Sequence, residues 1–377
     1  MSLNKELEAF LIERGAMKVG FVTKETLEGG PPSTDLTYVL PEAESAIVFA
    51  LPLDKEKIRA FLRKDLPNGF IDLQKSNNDA RQKAFRLAKG AGALLEDKGY
   101  KTYSVLPDWV GRTDIRKKEY PLQILPNISF RALALRAGVG SLGWNGFVGI
   151  KGWGTAIVLG AVVTTAKLEP TDPIPPEDSF CTKCKICVKA CAFRTISKDE
   201  EDTFIIGGYD VTRGKWDVAR CMIVCSNITG LEKDKKWSTW SPGRFEYPKD
   251  DNEVLRTLMR GAKASGPFGI RRPEPPDNYF KKYEFDKEIE ERQMITKGDL
   301  YRKLNFPAKL GDIVRLSCGN CQLCCGKDAK ETQENYELLI NSGCVVQKED
   351  SEIVILPPEE AEKLFESLDE NHKKLYY

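Results

Sequence analysis

Histidine is almost missing from this chain. Among 377 residues there is one, His372, in the C-terminal run D-E-N-H-K-K-L-Y-Y, where a frayed and solvated tail is the expected setting. Ser-His hydrolysis, zinc hydrolysis through imidazole ligands and histidine acid-base chemistry are thereby excluded together. Any proton donor has to be a tyrosine, a carboxylic acid, a lysine or water. A surplus of charge is missing too, since 57 Lys and Arg face 56 Asp and Glu. Such a balance draws neither nucleic acid nor an anionic membrane, and a tRNA substrate would call for a basic face. No run approaches the ~18 apolar residues that would span a bilayer. The opening M-S-L-N-K-E-L-E-A-F carries neither an apolar leader nor a twin-arginine signal, which predicts a cytoplasmic protein with no membrane partner. With 41% hydrophobic residues, a chain of this length can bury one large or two moderate cores, so two or three modules are expected.

Cysteine, by contrast, is abundant, with eleven residues. Cys181, Cys184, Cys187 and Cys191 stand in F-C-T-K-C-K-I-C-V-K-A-C, a C-x2-C-x2-C-x3-C run. Three thiolates at that spacing can close around one 4Fe-4S cubane, while the fourth usually ligates a second cluster. A second set follows: Cys221 and Cys225 in R-C-M-I-V-C, then Cys318, Cys321, Cys324 and Cys325 in L-S-C-G-N-C-Q-L-C-C-G-K. The ligand exchange of two-cluster ferredoxins then predicts cluster one on Cys181, Cys184, Cys187 and Cys325. Cluster two takes Cys191, Cys318, Cys321 and one of Cys221 and Cys225, with Cys221 preferred. Cys225, Cys324 and Cys344 are left as spares, Cys344 as a core residue. Structural zinc is the rival, because C-x2-C pairs also suit a tetrahedral ion. Disulfides suit a secreted chain better than this one.

Along the first part, helix-like and strand-like stretches alternate. Residues 3 to 14 place Leu7, Phe10 and Leu11 at helical spacing, and K-V-G-F-V-T at 18 to 23 reads as a strand. The nearly all-apolar S-A-I-V-F-A-L-P-L at 45 to 53 reads as a strand buried on both faces. A helix is expected over 77 to 98, stopping at Gly99 before the strand Y-K-T-Y-S-V-L. This is an α/β or α+β layout, with helices covering a sheet. Residues 126 to 165 are rich in glycine, with Gly138, Gly140, Gly143 and Gly146 and then Gly149, Gly152 and Gly154. The glycines follow a helix instead of opening one, so this is not a dinucleotide fingerprint. They suit backbone passing close to something flat or bulky, or tight turns with nothing bound.

R-A-L-A-L-R-A-G-V-G-S-L-G-W-N-G, then G-A-V-V-T-T, the cysteine run, R-C-M-I-V-C and C-G-N-C-Q-L-C-C together resemble the shared core of epoxyqueuosine reductases and reductive dehalogenases. The resemblance covers about residues 17 to 227 and 315 to 328. It implies a nitroreductase-like α/β domain that binds a corrinoid, followed by a ferredoxin-like domain with two 4Fe-4S clusters. On this pattern residues 1–170 form the corrinoid domain, 171–228 with 312–330 the two-cluster domain, 229–311 an aromatic-rich insertion, and 331–377 a structural extension. The implied cofactor contacts are Gly138, Gly140, Ser141, Gly143, Trp144, Asn145, Gly146 and Gly154. With no D-x-H-x-x-G element to reach cobalt, the cobalamin is expected base-off.

The chain also departs from the family. The acid that epoxyqueuosine reductases carry ahead of the R-A-L-A helix matches about Ile124. Trp144 stands where a basic residue is usual, and Cys191-Ala192 and Cys325-Gly326 replace Cys-Pro. Among residues 100 to 121, Tyr120, Asp114 and Tyr103 are the candidate proton donors, Tyr120 lying near Arg116, Lys117 and Lys118. Each is more readily an ordinary loop residue with a solvated side chain. The insertion, with Trp237, Trp240, Phe245, Tyr247 and further aromatics, is too long for a simple connection and reads as a substrate lid or a subunit interface. The expected function is a cobalamin-dependent iron-sulfur reductase acting on a small organic molecule, fed by a low-potential donor such as ferredoxin or flavodoxin. Two alternatives stand beside it: an epoxyqueuosine reductase-like tRNA modification enzyme, and a non-catalytic electron carrier or corrinoid-handling protein.

Overall fold

Strand β2 (Ser45–Pro52) shows why the first domain folds as it does. Its side chains alternate between two cores, as period-two geometry requires. Ile47, Phe49 and Leu51 point to one side, where they meet Leu7 and Leu11 of helix α1 (Leu3–Glu13) and Ala84, Ala88, Ala91 and Leu95 of the long helix α3 (Gly69–Glu96). Ala46, Val48 and Ala50 point to the other, against Leu133 and Leu135 of α4 (Phe130–Arg136). The computed structural model describes residues 2–106, 111–112, 114, 125–225, 228–258, 318–350, 352–374 and 376. Within them β1 (Lys18–Thr23), β2, β3 (Thr102–Val105) and β6 (Ile157–Thr164) form one sheet in the order β1-β2-β6-β3. Every pairing in it is antiparallel. The strand buried on both faces is thus present, in an α+β sheet with helices on each side.

Helix α3 begins at Gly69, about two turns before the expected start at 77. The extra turns are held from outside: Phe70 and Leu73 are buried against Phe61 of α2 (Lys55–Arg63) and against Trp240. Trp240 donates its indole N–H to the Phe61 carbonyl at 2.9 Å, and its ring lies 5.8 Å from Phe61 and 5.5 Å from Phe70. The first part of the aromatic-rich stretch, through Trp237, Trp240, Phe245 and Val254, is therefore core. Residues 259–317, where the rest of the expected insertion falls, lie outside the described residues.

Between α4 and β6 of the first domain stands the short hairpin β4 (Ser141–Leu142) and β5 (Val148–Gly149). The cysteine-bearing stretch after β6 contains the one-turn helix α5 (Ile186–Lys189), the hairpin β7 (Ile196–Ile206) and β8 (Tyr209–Trp216), and α6 (Val218–Cys225). The turn Gly207-Gly208 has φ of +55° and +74°, which suits the two-residue turn of a twisted hairpin. The C-terminal part is a helix, Ala329–Ile340, the hairpin β9 (Cys344–Gln347) and β10 (Ile353–Leu356), and a second helix, Pro358–Ser367. His372 is not frayed. Its Nε2 lies 2.9 Å from the Gln347 carbonyl, and its ring meets Tyr376. Among the described residues no helix is long and apolar enough to cross a membrane.

Candidate iron-sulfur centre

The two cysteine runs are built alike. In the first, Cys184 is followed by Lys185 in the left-handed region (φ +61°), then by the single helical turn of α5 that carries Cys187. In the second, Cys318 is followed by Gly319 (φ +60°), then by the turn Asn320–Leu323 that carries Cys321. Lys183 is left-handed as well, at φ +54°. Alternating handedness turns successive backbone N–H groups toward one point, a concavity found at anion and Fe–S sites. In the same register Cys191 corresponds to Cys325. The second run has no counterpart of Cys181, and α6 supplies cysteines in that place.

The thiols fall into two neighbouring groups. Burial pushes Cys187 up to about 12, with Cys181 and Cys184 as its charged neighbours. Cys325, from the distant run, is raised by burial and then by the same Cys181, Cys187 and Cys184. In the second group, Cys318 is raised by its hydrogen bond to Cys225, by burial, and by the charges of Cys225, Cys321 and Cys191. Cys321 is raised by burial and by Cys225, Cys191 and Cys187. Burial raises Cys191, whose thiol neighbour is Cys225. The groups touch through Cys187 and Cys321, both packed with Trp144, Val188 and Ile196. Among the described residues no three His, Cys, Asp or Glu side chains converge as a single metal ion requires. Cubane ligands each hold a different iron and stand further apart than the ligands of one ion. Crowded, buried thiols resist ionisation, and bound iron cations relieve that cost, so the donor set fits clusters.

The first domain grips both loops. The Trp144 backbone N–H donates to Cys181 Sγ at 3.3 Å, and the Thr195 N–H donates to Cys191 Sγ at 3.3 Å. Such bonds to sulfur tune cluster potential. Asn145, 2% exposed, donates from Nδ2 to the Cys321 carbonyl at 2.7 Å, and its Oδ1 accepts from the Phe147 N–H at 3.1 Å. Thr155, which sequence reasoning passed over, donates from Oγ1 to the Gln322 carbonyl at 2.5 Å, and its N–H reaches the Cys325 carbonyl at 3.2 Å. A lone threonine after a glycine-rich stretch carries no signal in sequence. Gly154 has φ +87°, and a Cβ there would stand 2.4 Å from the Gly326 oxygen and 2.5 Å from that of Cys325.

The other expected cofactor contacts are also engaged within the chain. A Cβ on Gly138 would meet the Asp172 oxygen at 2.2 Å, one on Gly140 would meet Val148 at 2.5 Å, and one on Gly143 would meet Asn145 Oδ1 at 2.5 Å. Ser141 Oγ accepts from the Phe180 N–H at 3.0 Å, the Trp144 indole donates to the Ser197 carbonyl at 2.9 Å, and the Gly146 carbonyl accepts from Arg131 at 3.1 Å. The glycine block joins the sheet to the cysteine loops. Of the expected proton donors, Tyr103 lies on β3 and its hydroxyl accepts from Asn127 Nδ2 at 3.3 Å. Asp114 is exposed and paired at 2.6 Å with Arg112, a buried guanidinium that also stacks 4.1 Å from the Tyr38 ring. Tyr120 lies outside the described residues. The structure groups neither Tyr103 nor Asp114 with the cysteines.

No family model matches the chain. Two curated proteins similar to it are epoxyqueuosine reductases. The one from Bacillus subtilis (strain 168) is 26% identical over 199 residues, 50% of each chain. The one from Listeria monocytogenes is 26% identical over 207 residues, 50% of this chain and 51% of that protein. The chain thus spans about half the length of the curated relatives it matches. Among solved structures, an epoxyqueuosine reductase with a modified tRNA-Tyr stem loop aligns over 90% of this chain and 80% of its own, at 19% identity and TM-score 0.38. The reductive dehalogenase NpRdhA with 3-bromo-4-hydroxybenzoic acid aligns over 58% of this chain and 28% of its own, at 18% identity and TM-score 0.41. Over about half its length, then, the chain is similar to epoxyqueuosine reductases.

Proposed function

We propose that the protein is an iron-sulfur reductase of the epoxyqueuosine reductase kind, passing single electrons through two 4Fe-4S clusters toward a substrate-reducing centre. The observation that carries this reading is the pair of cysteine runs of matching local geometry, which bring Cys181, Cys184, Cys187 and Cys325 into one group and Cys191, Cys318 and Cys321, with a cysteine of α6, into another. Cys187 and Cys321 mark the place where the groups adjoin and where an electron would cross. The protein's part is to gather the thiolates, tune them through the N–H groups of Trp144 and Thr195, and hold the second loop to the first domain through Asn145 and Thr155.

The resemblance assigns the reducing centre to a corrinoid, whose cobalt would supply the chemistry at a carbon-heteroatom bond. At Gly138, Gly140, Gly143 and Gly154 the Cβ position is taken by the chain's own atoms, so each must be glycine for packing alone, whether or not a ring lies on its other side. The curated relatives' names favour a tRNA-borne epoxide over the small organic substrate expected from composition. The balanced charge of the whole chain says nothing of a local basic face, which is all that a stem loop requires. A small-molecule substrate is the second reading, favoured by Ile124 at the position of the family acid. The test is anaerobic reconstitution with iron, sulfide and cobalamin, followed by incubation with an epoxyqueuosine-bearing stem loop or with halogenated and epoxide small molecules under a low-potential donor. Loss of the epoxide oxygen from the stem loop, read by mass spectrometry, supports the first reading. Turnover of small molecules alone supports the second.

A further inference from the structure

A cubane has four irons and takes one thiolate on each. Around the second group the structure places five thiols: Cys191, Cys318 and Cys321 from the two runs, and both Cys221 and Cys225 from α6. Cys221 and Cys225 are four residues apart on one helix, so they share a face and project toward the same point. Their sulfurs lie 3.5 Å apart, the Cys221 thiol donating to Cys225. Two thiolates on different irons of one cluster would stand further apart than this, so the two cannot both be ligands at once. Each nevertheless reaches the same neighbours. Cys318 and Cys321 act on Cys221, while Cys318 hydrogen-bonds Cys225 through both its thiol and its backbone N–H, with the Gly319 N–H as a further donor. Cys225 is also the thiol neighbour of Cys191.

We propose that Cys221 and Cys225 are alternative ligands to a single iron of the second cluster, one binding while the other stands beside it as a hydrogen-bonding reserve. The inference rests on the two-cluster reading and adds to it a ligand position that can change hands. A thiolate leaving that iron is replaced by its neighbour one helical turn away, with one proton passing to the departing sulfur and no change in electron count. The cluster therefore survives the loss of either cysteine but not of both.

The test uses the full chain with Cys221→Ser, Cys225→Ser and the double variant, reconstituted anaerobically. Wild type is expected to hold about eight irons, and a much lower value would sink the two-cluster reading itself. Given that value, each single variant should keep about eight irons, with distinct electron paramagnetic resonance spectra for the reduced second cluster. The double variant should fall to about four, with the signal of the first cluster intact as proof that the fold has survived. If one single variant alone loses as much iron as the double, while the other keeps the wild-type spectrum, the ligand is fixed and the proposal is wrong.

Discussion

Asn145 offers a sharp test of how the first domain holds the cysteine loops. Its side chain is 2% exposed and satisfies two backbone groups at once, the Cys321 carbonyl at 2.7 Å and the Phe147 N–H at 3.1 Å. Asn145→Ala leaves both without partners. An unsatisfied buried polar group costs about 1–3 kcal/mol, and because the Phe147 bond is only part-buried the total should be about 2–4 kcal/mol. The loss falls on the loop that carries Cys318, Cys321 and Cys325, so iron should also leave more readily. Guanidinium unfolding followed by tryptophan fluorescence reads the first effect, and the rate of iron capture by a chelator reads the second. Asn145→Asp keeps the acceptor for Phe147 but sets a buried carboxylate oxygen against the Cys321 carbonyl, so it should be no more stable than Asn145→Ala. An alanine variant within ~0.5 kcal/mol of wild type, with an unchanged chelation rate, would refute the view that this side chain pins the loop.

Three further outcomes are expected. Trp240→Ala should destabilise the protein by about 3–5 kcal/mol, because the indole fills the space between Phe61 and Phe70; a mobile lid would lose little, and denaturant unfolding separates the two. Gly154→Ala puts a methyl 2.4 Å from the Gly326 oxygen at a φ of +87°, so reconstituted iron should drop by more than stability does, as metal analysis beside circular dichroism will show. Lys64 is 3% exposed, hydrogen-bonded to Ser342 and to the Gly343 carbonyl, and pushed by burial down to about 7. Between that value and ~10.4 in the unfolded chain, the unfolded state holds a proton that the folded state lacks. Stability should therefore rise with pH over this window by about 1.4 kcal/mol per unit, and Lys64→Met, measured at pH 7 and 9, should abolish that slope.

What was legible in sequence was local. The C-x2-C-x2-C-x3-C spacing and the unbroken apolar run of β2 state their own geometry, because the residues that cooperate are neighbours. Less legible were features settled by distant partners. The early turns of α3 look polar until Trp240, more than 160 residues on, is folded against Phe70. The same distance hid the core role of Trp237 and Phe245, whose aromatic content suggested a lid. The glycines suggested a close approach of the backbone to something, and the described structure shows close partners within the chain itself, Asp172, Val148 and Gly326, on the Cβ side. No spacing rule distinguishes Cys221 from Cys225, since one helical turn sets both on the same face. His372 drew attention only by being alone, and its bond to Gln347 depends on a hairpin 25 residues earlier.

The most direct measurement is the iron and acid-labile sulfide content of the anaerobically reconstituted chain, read with its electron paramagnetic resonance spectrum after reduction. Two cysteine groups around adjoining cubanes predict about eight irons and eight sulfides per chain, with two clusters close enough to perturb each other's signals. Zinc in place of iron, or iron without labile sulfide, would contradict the assignment of these cysteines to clusters.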